Sequence, residues 1–271
     1  MPLQENYIHP GGIQVIGDFL LVPATGVDYD EGVARVFLYD LTSLNSGTTP
    51  RVHNILTFSS DSAASVGITD VSTDKLYRFP NDTDPLPLLP ESFEFYKYIM
   101  GVYDYDAEKL LLYRPNITWY LDGQGLSAFF YSPVTYDYGF DKIGEIGMSG
   151  KKYDNMALLR DTNGDVWMVG LRGEPIDWTG GLTGFTNYVD LYKLTYDSVS
   201  SNDKLFYNAV VPTVTKILRI TYSARANMWD VSVRYGSGII VINDRNEFLI
   251  TATERNLGKH NSVQMNEFRN F

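Results

Sequence analysis

The feature that most constrains the fold of this chain is an internal repeat of short strand-forming segments. A hairpin of two apolar segments around a Gly, Asp or Asn turn recurs, and a third strand with an aromatic residue near its end follows each copy. Tyr39, Tyr113, Tyr192 and Phe268 mark these third strands, at intervals of 74, 79 and 76 residues. Near-equal spacing of one unit is typical of repeat architectures. The sequence therefore predicts four diverged copies of one strand unit.

The segments of each unit read as strands rather than helices. No window carries apolar residues at helical spacing over three turns, whereas Val, Ile, Leu, Tyr and Phe runs alternate with turn residues throughout. The paired strands of the four hairpins are predicted at 13–16 and 19–22, 65–68 and 97–102, 156–159 and 166–169, and 238–242 and 247–250. Outer strands are predicted at 52–58, 141–146 and 209–214, and the fourth unit stops without one.

This pattern predicts an all-β fold, and within it a small β-propeller built from the four units. The blade number is four, or five if one of the long inter-unit segments supplies a blade; these segments, rich in Pro, Gly and aromatic residues, are 77–95, 116–139 and 173–187. Pairing of the segment before His9 with the C-terminal strand would close the ring and remove exposed sheet edges. Another closed β structure, such as a trefoil-like barrel, is the alternative, although a trefoil has three units. A chain of 271 residues is expected to form one domain over 1–271.

The layout of repeated hairpins and aromatic third strands resembles the β-propeller superfamily over most of the chain. The run from His9 to Gln14, His-Pro-Gly-Gly-Ile-Gln, and the run from Ala252 to Asn256 are similar to those of a group of bacterial propeller-like proteins. The resemblance implies the fold but no single function, because propellers include lectins, hydrolases, lyases and scaffolds.

Charge and composition narrow the classes of partner. The formal net charge of −11 disfavours nucleic acid and anionic membrane surfaces, which are bound through clustered Lys and Arg. No apolar run approaches the ~20 residues of a membrane span. We expect a soluble chain without a signal-like N-terminus, and secretion stays open if a leader has been removed. Because the chain has no cysteine, disulfides and thiolate chemistry are excluded.

A polar ligand site is predicted where the first strand of each propeller blade begins beside the central channel. The four segments at this position are His9–Gly12, Ala63–Ser65, Tyr153–Asn155 and Arg234–Ser237. His9 and Asp154 are candidate catalytic residues for proton transfer, and Arg234 offers a planar fork to a carboxylate. The other candidate ligand-binding residues are Tyr153, Asn155, Tyr235, Glu254 and Arg255.

The function expected from this site is the binding of a small polar ligand, a sugar or a carboxylate-bearing molecule. The first alternative is an enzyme, a hydrolase, lyase or cyclase, in which His9 and Asp154 act as an acid–base pair in the same pocket. The second is a protein-interaction scaffold, which requires an exposed apolar patch. These residues could also have no ligand-binding role, because polar residues at strand starts are often solvated or hydrogen-bonded to neighbouring backbone.

Two further sets of charged residues are weaker candidates for a catalytic or metal site. Arg172 with Glu174, and Asp104 with Asp106, fall at the ends of second strands together with Glu254 and Arg255; paired carboxylates there would suit glycoside hydrolysis. The segment 161–165, Asp-Thr-Asn-Gly-Asp, has oxygen ligands at alternate positions that suit Ca²⁺. Asn-Gly is also a strong hairpin-turn signal, so we favour a turn and expect no cofactor, with Ca²⁺ as the alternative.

Overall fold

The protein is all-β over the residues that the structure, a computed structural model, describes. These residues are 7–26, 34–42, 44, 47–58, 62–70, 98–115, 118–122, 125–129, 140–148, 150–177, 183–197, 211–223, 231–242, 247–254 and 265–268. They form eighteen strands and, as helix, only single 3₁₀ positions at Thr42 and Leu44. No helix in these ranges is long and apolar enough to cross a membrane.

The first sheet is an antiparallel meander in which two short strands share one edge. Its order is β1-β3-β4-β5, and β2 also pairs with β3. Its strands are β1 (Tyr7–Pro10), β2 (Gln14–Ile16), β3 (Phe19–Gly26), β4 (Ala34–Asp40) and β5 (Arg51–Phe58). The turn from β2 to β3 contains Gly17 with a positive φ of 52°, a conformation that glycine adopts without steric cost.

The second sheet repeats this meander, and a separate hairpin is inserted between its last two strands in chain order. Its order is β11-β8-β7-β6, with strands β6 (Ser65–Asp70), β7 (Tyr98–Asp104), β8 (Lys109–Pro115) and β11 (Phe140–Gly147). Between β8 and β11 the chain forms a separate two-stranded sheet of β9 (Thr118–Asp122) and β10 (Gly125–Phe129). The long segment 116–139 therefore contains two strands of its own.

The third sheet has the longest strands, and the fourth sheet has three strands. The third follows the order β12-β13-β14-β15, with β12 (Asn155–Arg160), β13 (Val166–Asp177), β14 (Thr183–Asp197) and β15 (Val211–Ser223). The fourth follows the order β16-β17-β18, with β16 (Val231–Ile242), β17 (Glu247–Glu254) and β18 (Met265–Phe268). The predicted insertion at 173–187 is mostly the extension of β13 and β14.

The all-β prediction is confirmed, and the four larger sheets of the described residues coincide with the four predicted groups of strands, whereas the two-stranded sheet of β9 and β10 is additional. The described residues do not show the predicted pairing of the N-terminal segment with the C-terminal strand. Tyr7–Pro10 pairs with β3 of its own sheet, the six residues before it lie outside the described part of the chain, and none of the described sheets is closed. A propeller therefore remains a proposal beyond the observed stack of antiparallel sheets.

Strand β7 of the second sheet is buried on both faces, because neighbouring sheets pack on either side of it. Every residue of β7 is buried. Tyr98, Met100 and Val102 belong to the core shared with the first sheet, whereas Ile99 and Tyr103 belong to the core shared with the third. Successive strand residues point to opposite faces, so one strand supplies both cores.

The third sheet continues this series towards the fourth. Val166 and Met168 of β13 lie in the core shared with the second sheet. Val169 and Leu171 lie in a core with Ile250 of β17, against which Ile239 of β16 also packs. The described sheets thus pack face to face in chain order, which is the arrangement that brings their first strands towards one another.

Candidate functional site

The starts of three first strands meet at one place, which we call the converging end and define by Gly11, Gly12, Ala64, Ser65 and Asn155. Gly12 forms a parallel bridge with Ser65. The Gly12 amide donates to the Ala64 carbonyl at 2.9 Å, and the Val66 amide donates to the Gly12 carbonyl at 3.0 Å. The first strand of the first sheet is thereby joined to that of the second.

Glycine at 11 and 12 is required by the closeness of this approach. A Cβ added to Gly11 would lie 1.8 Å from the Ala64 carbonyl oxygen. A Cβ added to Gly12 would lie 2.2 Å from Oδ1 of Asn155, the first residue of β12. A side chain at Gly11 would collide with the backbone of the second sheet, and one at Gly12 would displace the Asn155 side chain of the third, so the Gly-Gly pair permits the close approach at the converging end.

Gln14 holds the second and third sheets together two residues further along. Its Nε2 donates to the carbonyls of Ile68 and Leu158, at 2.8 and 3.0 Å. Its Oε1 accepts from the amides of the same two residues, at 2.9 and 3.1 Å. The side-chain amide of Gln14 therefore acts as an inserted peptide group between β6 and β12.

Asp154 and Asn155 of the predicted site lie at the converging end. The Asp154 amide donates to the Leu171 carbonyl at 3.1 Å, and the residue is half-buried. Asn155 is buried and opens β12 opposite Leu171. The structure thus brings two predicted residues beside Gly12 and Ser65.

Tyr153 lies inside the protein, although it was predicted to touch ligand. Its side chain is fully buried, and its hydroxyl donates to Asp190 Oδ2 at 2.7 Å and lies 2.6 Å from the Tyr192 hydroxyl. Burial, and then these hydrogen bonds, raise the pKa of the Tyr153 phenol far above its usual value. The ring fits because Gly170 has no side chain there. Tyr153 contributes to packing between the second and third sheets.

The other predicted site residues are described by their backbone or lie outside the described residues. His9 pairs with Thr25 across β1 and β3. Arg234 and Tyr235 lie in β16 where the register shifts between the pairs Ser232–Thr253 and Ser237–Ala252. Glu254 ends β17 opposite Val231. Arg255 lies outside the described residues.

A charged cluster that the sequence analysis ranked low is the best-defined polar group near this end. Arg172 of β13 is only 9% exposed. Its guanidinium carbon lies 4.3 Å from the centre of the Tyr188 ring, and one terminal nitrogen donates to Glu174. Arg172 follows Leu171, the partner of Asn155, so the cluster lies at the same end of the third sheet as Asn155.

The predicted carboxylate pair at Asp104 and Asp106 forms part of a turn. Asp104 Oδ1 accepts from the amides of Asp106 and Ala107, at 3.2 and 3.0 Å. Asp104 is buried and Asp106 is exposed. The Asp104 carboxylate thus stabilises the β7–β8 connection, and its use in glycoside hydrolysis stays a prediction without a structural argument in its favour.

The predicted calcium segment also has the geometry of a turn. Asp161 Oδ1 accepts from the amides of Asn163 and Asp165, both at 2.9 Å, and Oδ2 accepts from Trp167 Nε1 at 3.0 Å. The Trp167 hydrogen bond lowers the pKa of Asp161, and Gly164 has a φ of 82°. Both Asp161 oxygens are thus engaged within the turn. Across the described residues, no group of three or more His, Asp or Glu side chains is placed to hold a metal ion.

Sequence reasoning missed the roles of Gln14 and Asp190. Gln14 shares its strand face with Leu21, a core residue, so a polar side chain on an inward face was the available signal. Asp190 is fully buried in the middle of β14, and a carboxylate inside an aromatic strand carried a similar signal. The hydrogen-bond partners of Gln14 and Asp190 could not be predicted from the sequence, because they lie in strands that are distant along the chain.

Comparison with known proteins adds no family to these observations. The sequence matches no protein-family model and no curated protein.

Proposed function

We propose that the chain is a four-bladed β-propeller that binds one small polar ligand, a sugar or a carboxylate-bearing molecule, at the converging end. The observation that carries the proposal is the meeting of Gly12, Ser65 and Asn155, which belong to three different sheets. Ligands of repeat proteins bind where equivalent loops or strand ends gather around a shared axis.

The outer face of the first sheet supports a ring rather than an open stack. Phe37 and Tyr39 are buried on that face, with Leu20 and Val22 packed against them. An end sheet facing water would alternate apolar inside with polar outside. An apolar face is what a blade needs when another blade covers it, and the fourth sheet is the candidate cover.

The chemistry at the converging end supports a polar ligand. Asp154 and Asn155 offer a carboxylate and an amide, and β1 and β16 carry His9 and Arg234. Hydroxyl-rich or carboxylate ligands are bound by such donors and acceptors in fixed orientation. Tyr153 is excluded from direct contact by its burial.

Isothermal titration with two probes, D-glucuronate and methyl α-D-glucoside, tests the proposal. We expect one site per chain and a loss of about tenfold or more in affinity for His9→Ala and for Arg234→Ala, since each removes a hydrogen-bonding group that the proposal assigns to ligand binding. Lys142→Ala is the matched control, because Lys142 is an exposed cation on β11. Failure of both probes to bind, or unchanged binding by both variants, would overturn the proposal.

The same variants separate binding from catalysis. An enzyme that uses His9 would show a rate with a titration near neutral pH that disappears in His9→Ala. A binding protein leaves glucosides and uronates chemically unchanged over the titration.

A further inference from the structure

We propose that Arg172 binds the carboxylate of an acidic sugar and that Glu174 occupies this position until the ligand replaces it. The inference rests on the proposed ligand site and deepens it, because it names the ligand class and a residue outside the predicted set. Four observations lead to it.

The first observation is the burial of an arginine with few partners. Arg172 is 9% exposed, and within the described part of the chain its polar contacts are the ion pair with Glu174 and the stack on Tyr188. Its Nε is shielded from solvent and makes no hydrogen bond there. A guanidinium has five N–H donors, and a buried arginine is normally matched by acceptors. Arg172 therefore has fewer hydrogen-bond acceptors within the described residues than is usual for so buried an arginine.

The second observation is the fixed orientation of the guanidinium. Arg172 and Tyr188 are direct cross-strand partners in β13 and β14, and the 4.3 Å stack sets the plane of the guanidinium. A planar donor group held in place matches a carboxylate in two parallel hydrogen bonds with little loss of side-chain entropy. The stack thus prepares Arg172 for a planar anion.

The third observation is the unequal exposure of the ion pair. The side chain of Arg172 is 10% exposed, whereas that of Glu174 is 48% exposed. Glu174 is thus the solvent-accessible partner of a buried guanidinium, and a ligand that arrives from solvent meets it first. A carboxylate there is chemically equivalent to that of a uronic acid, and a half-exposed pair contributes only about 0.2–1 kcal/mol, so a ligand held by further contacts can displace it.

The fourth observation is position. Leu171, directly before Arg172, pairs with Asn155 of the converging end, so Arg172 lies at the same end of the third sheet, one residue beyond the pair that Asn155 forms. The net charge of −11 does not oppose this, since exposed charges beyond about 8 Å are largely screened at physiological salt.

Titrations of D-glucuronate and methyl α-D-glucoside into the wild type and three variants test the inference. We expect Glu174→Gln to bind glucuronate about two- to fivefold more tightly, because the competing carboxylate is gone. Arg172→Gln should lose about tenfold or more for glucuronate and leave the glucoside unchanged. Glu145→Gln is the matched control, since Glu145 is a 45% exposed partner of Lys109, and it should bind both probes as the wild type does.

The outcomes distinguish this inference from the proposed function. Glucoside binding with no preference for glucuronate, or unchanged or weaker glucuronate binding by Glu174→Gln, overturns the inference and leaves the ligand site standing. Binding of neither probe overturns both. If Arg172→Gln does not fold by circular dichroism, Arg172→Lys replaces it and should bind glucuronate more weakly, because a lysine lacks the planar fork.

Discussion

At the scale of single residues, the contact between sheets depends on two kinds of position. At one kind the residue has no side chain, and at the other the side chain makes the hydrogen bonds of a backbone peptide group. Gly11 and Gly12 allow contacts that any Cβ would prevent. Gln14 makes four hydrogen bonds to the backbones of two other sheets. The His-Pro-Gly-Gly-Ile-Gln run, which the sequence analysis used for its resemblance, therefore has a structural reason in this chain.

Replacement of Gly11 by alanine tests this reading against a matched glycine. Gly11→Ala should lower the free energy of unfolding by about 2–3 kcal/mol, because its methyl group would overlap a backbone carbonyl. Gly147→Ala should stabilise the chain by about 0.5 kcal/mol, since a Cβ there meets nothing within 4 Å and its φ is not in the left-handed region. Urea unfolding followed by tryptophan fluorescence measures both. Equal effects of the two substitutions would contradict the close approach.

At the scale of elements, the strands are joined by tyrosines buried between sheets. Tyr103 of β7 lies edge-on to Tyr153 at 5.3 Å, and Tyr153 lies edge-on to Tyr192 of β14 at 6.2 Å. The Tyr103 hydroxyl donates to the Lys151 carbonyl. Each phenol adds apolar area to the core and keeps its hydroxyl bonded, so the interface between the second and third sheets is both packed and polar.

These tyrosines make stability sensitive to alkaline pH. Burial raises the pKa of Tyr113 to about 12 and also raises those of Tyr103 and Tyr153, whereas an unfolded phenol ionises near ~10. A raised folded pKa means that the stabilisation is complete below about pH 10 and is lost as pH rises towards the folded value. We expect the free energy of unfolding to fall between about pH 10 and 12.

Absorbance at 295 nm measures this directly. At about pH 11 the native chain should show fewer phenolates than the chain unfolded in urea. Tyr113→Phe should reduce the slope of unfolding free energy against pH over the same window. One ionisation midpoint shared by native and unfolded chains would refute the burial argument.

At the scale of the whole molecule, the outer face of the first sheet distinguishes a closed ring from an open stack. Ile13, directly before β2, and Val15 of β2 are each 53% exposed, and Val15 lies on the side of the strand opposite Gln14. In the described sheets, the second strand of one sheet packs on the first strand of the next, as β3 does on β6 and β13 does on β16. Closure of a ring would place β17 over Val15 by the same rule.

A charged substitution at Val15 tests ring closure. If the fourth sheet covers this face in solution, Val15→Asp should lower the free energy of unfolding by about 2 kcal/mol or more, because it buries an unpaired carboxylate. Leu44→Asp is the control, since Leu44 is an exposed apolar residue outside the strands, and it should cost less than about 1 kcal/mol. Equal, small effects would count against the ring. A wild-type dimer that Val15→Asp dissociates would instead assign the face to a second copy of the chain.

The strand pattern of this protein was readable from the chain, whereas its contacts were not. Alternation of apolar residues and turn residues located strands β2 to β8 and β11 to within a few positions, because those signals lie within short stretches of sequence. In the third and fourth sheets, β13, β15 and β16 extend well beyond their predicted bounds. Long strands were harder, as in β13 and β14, where Pro175 and several glycines suggested a loop but the cross-strand pairs of a long hairpin extend the strands.

The candidate site also has features that the sequence determined and features that only the tertiary structure decided. The sequence alone determined the all-β class, the four groups of strands and the position of Asn155 at a strand start. Only the tertiary structure decided that Tyr153 turns into the core, that Gln14 joins two other sheets and that Arg172 lies buried beside Tyr188. Local pattern specifies which face a residue occupies, but the direction and partners of a side chain depend on sheets that meet through residues distant in sequence.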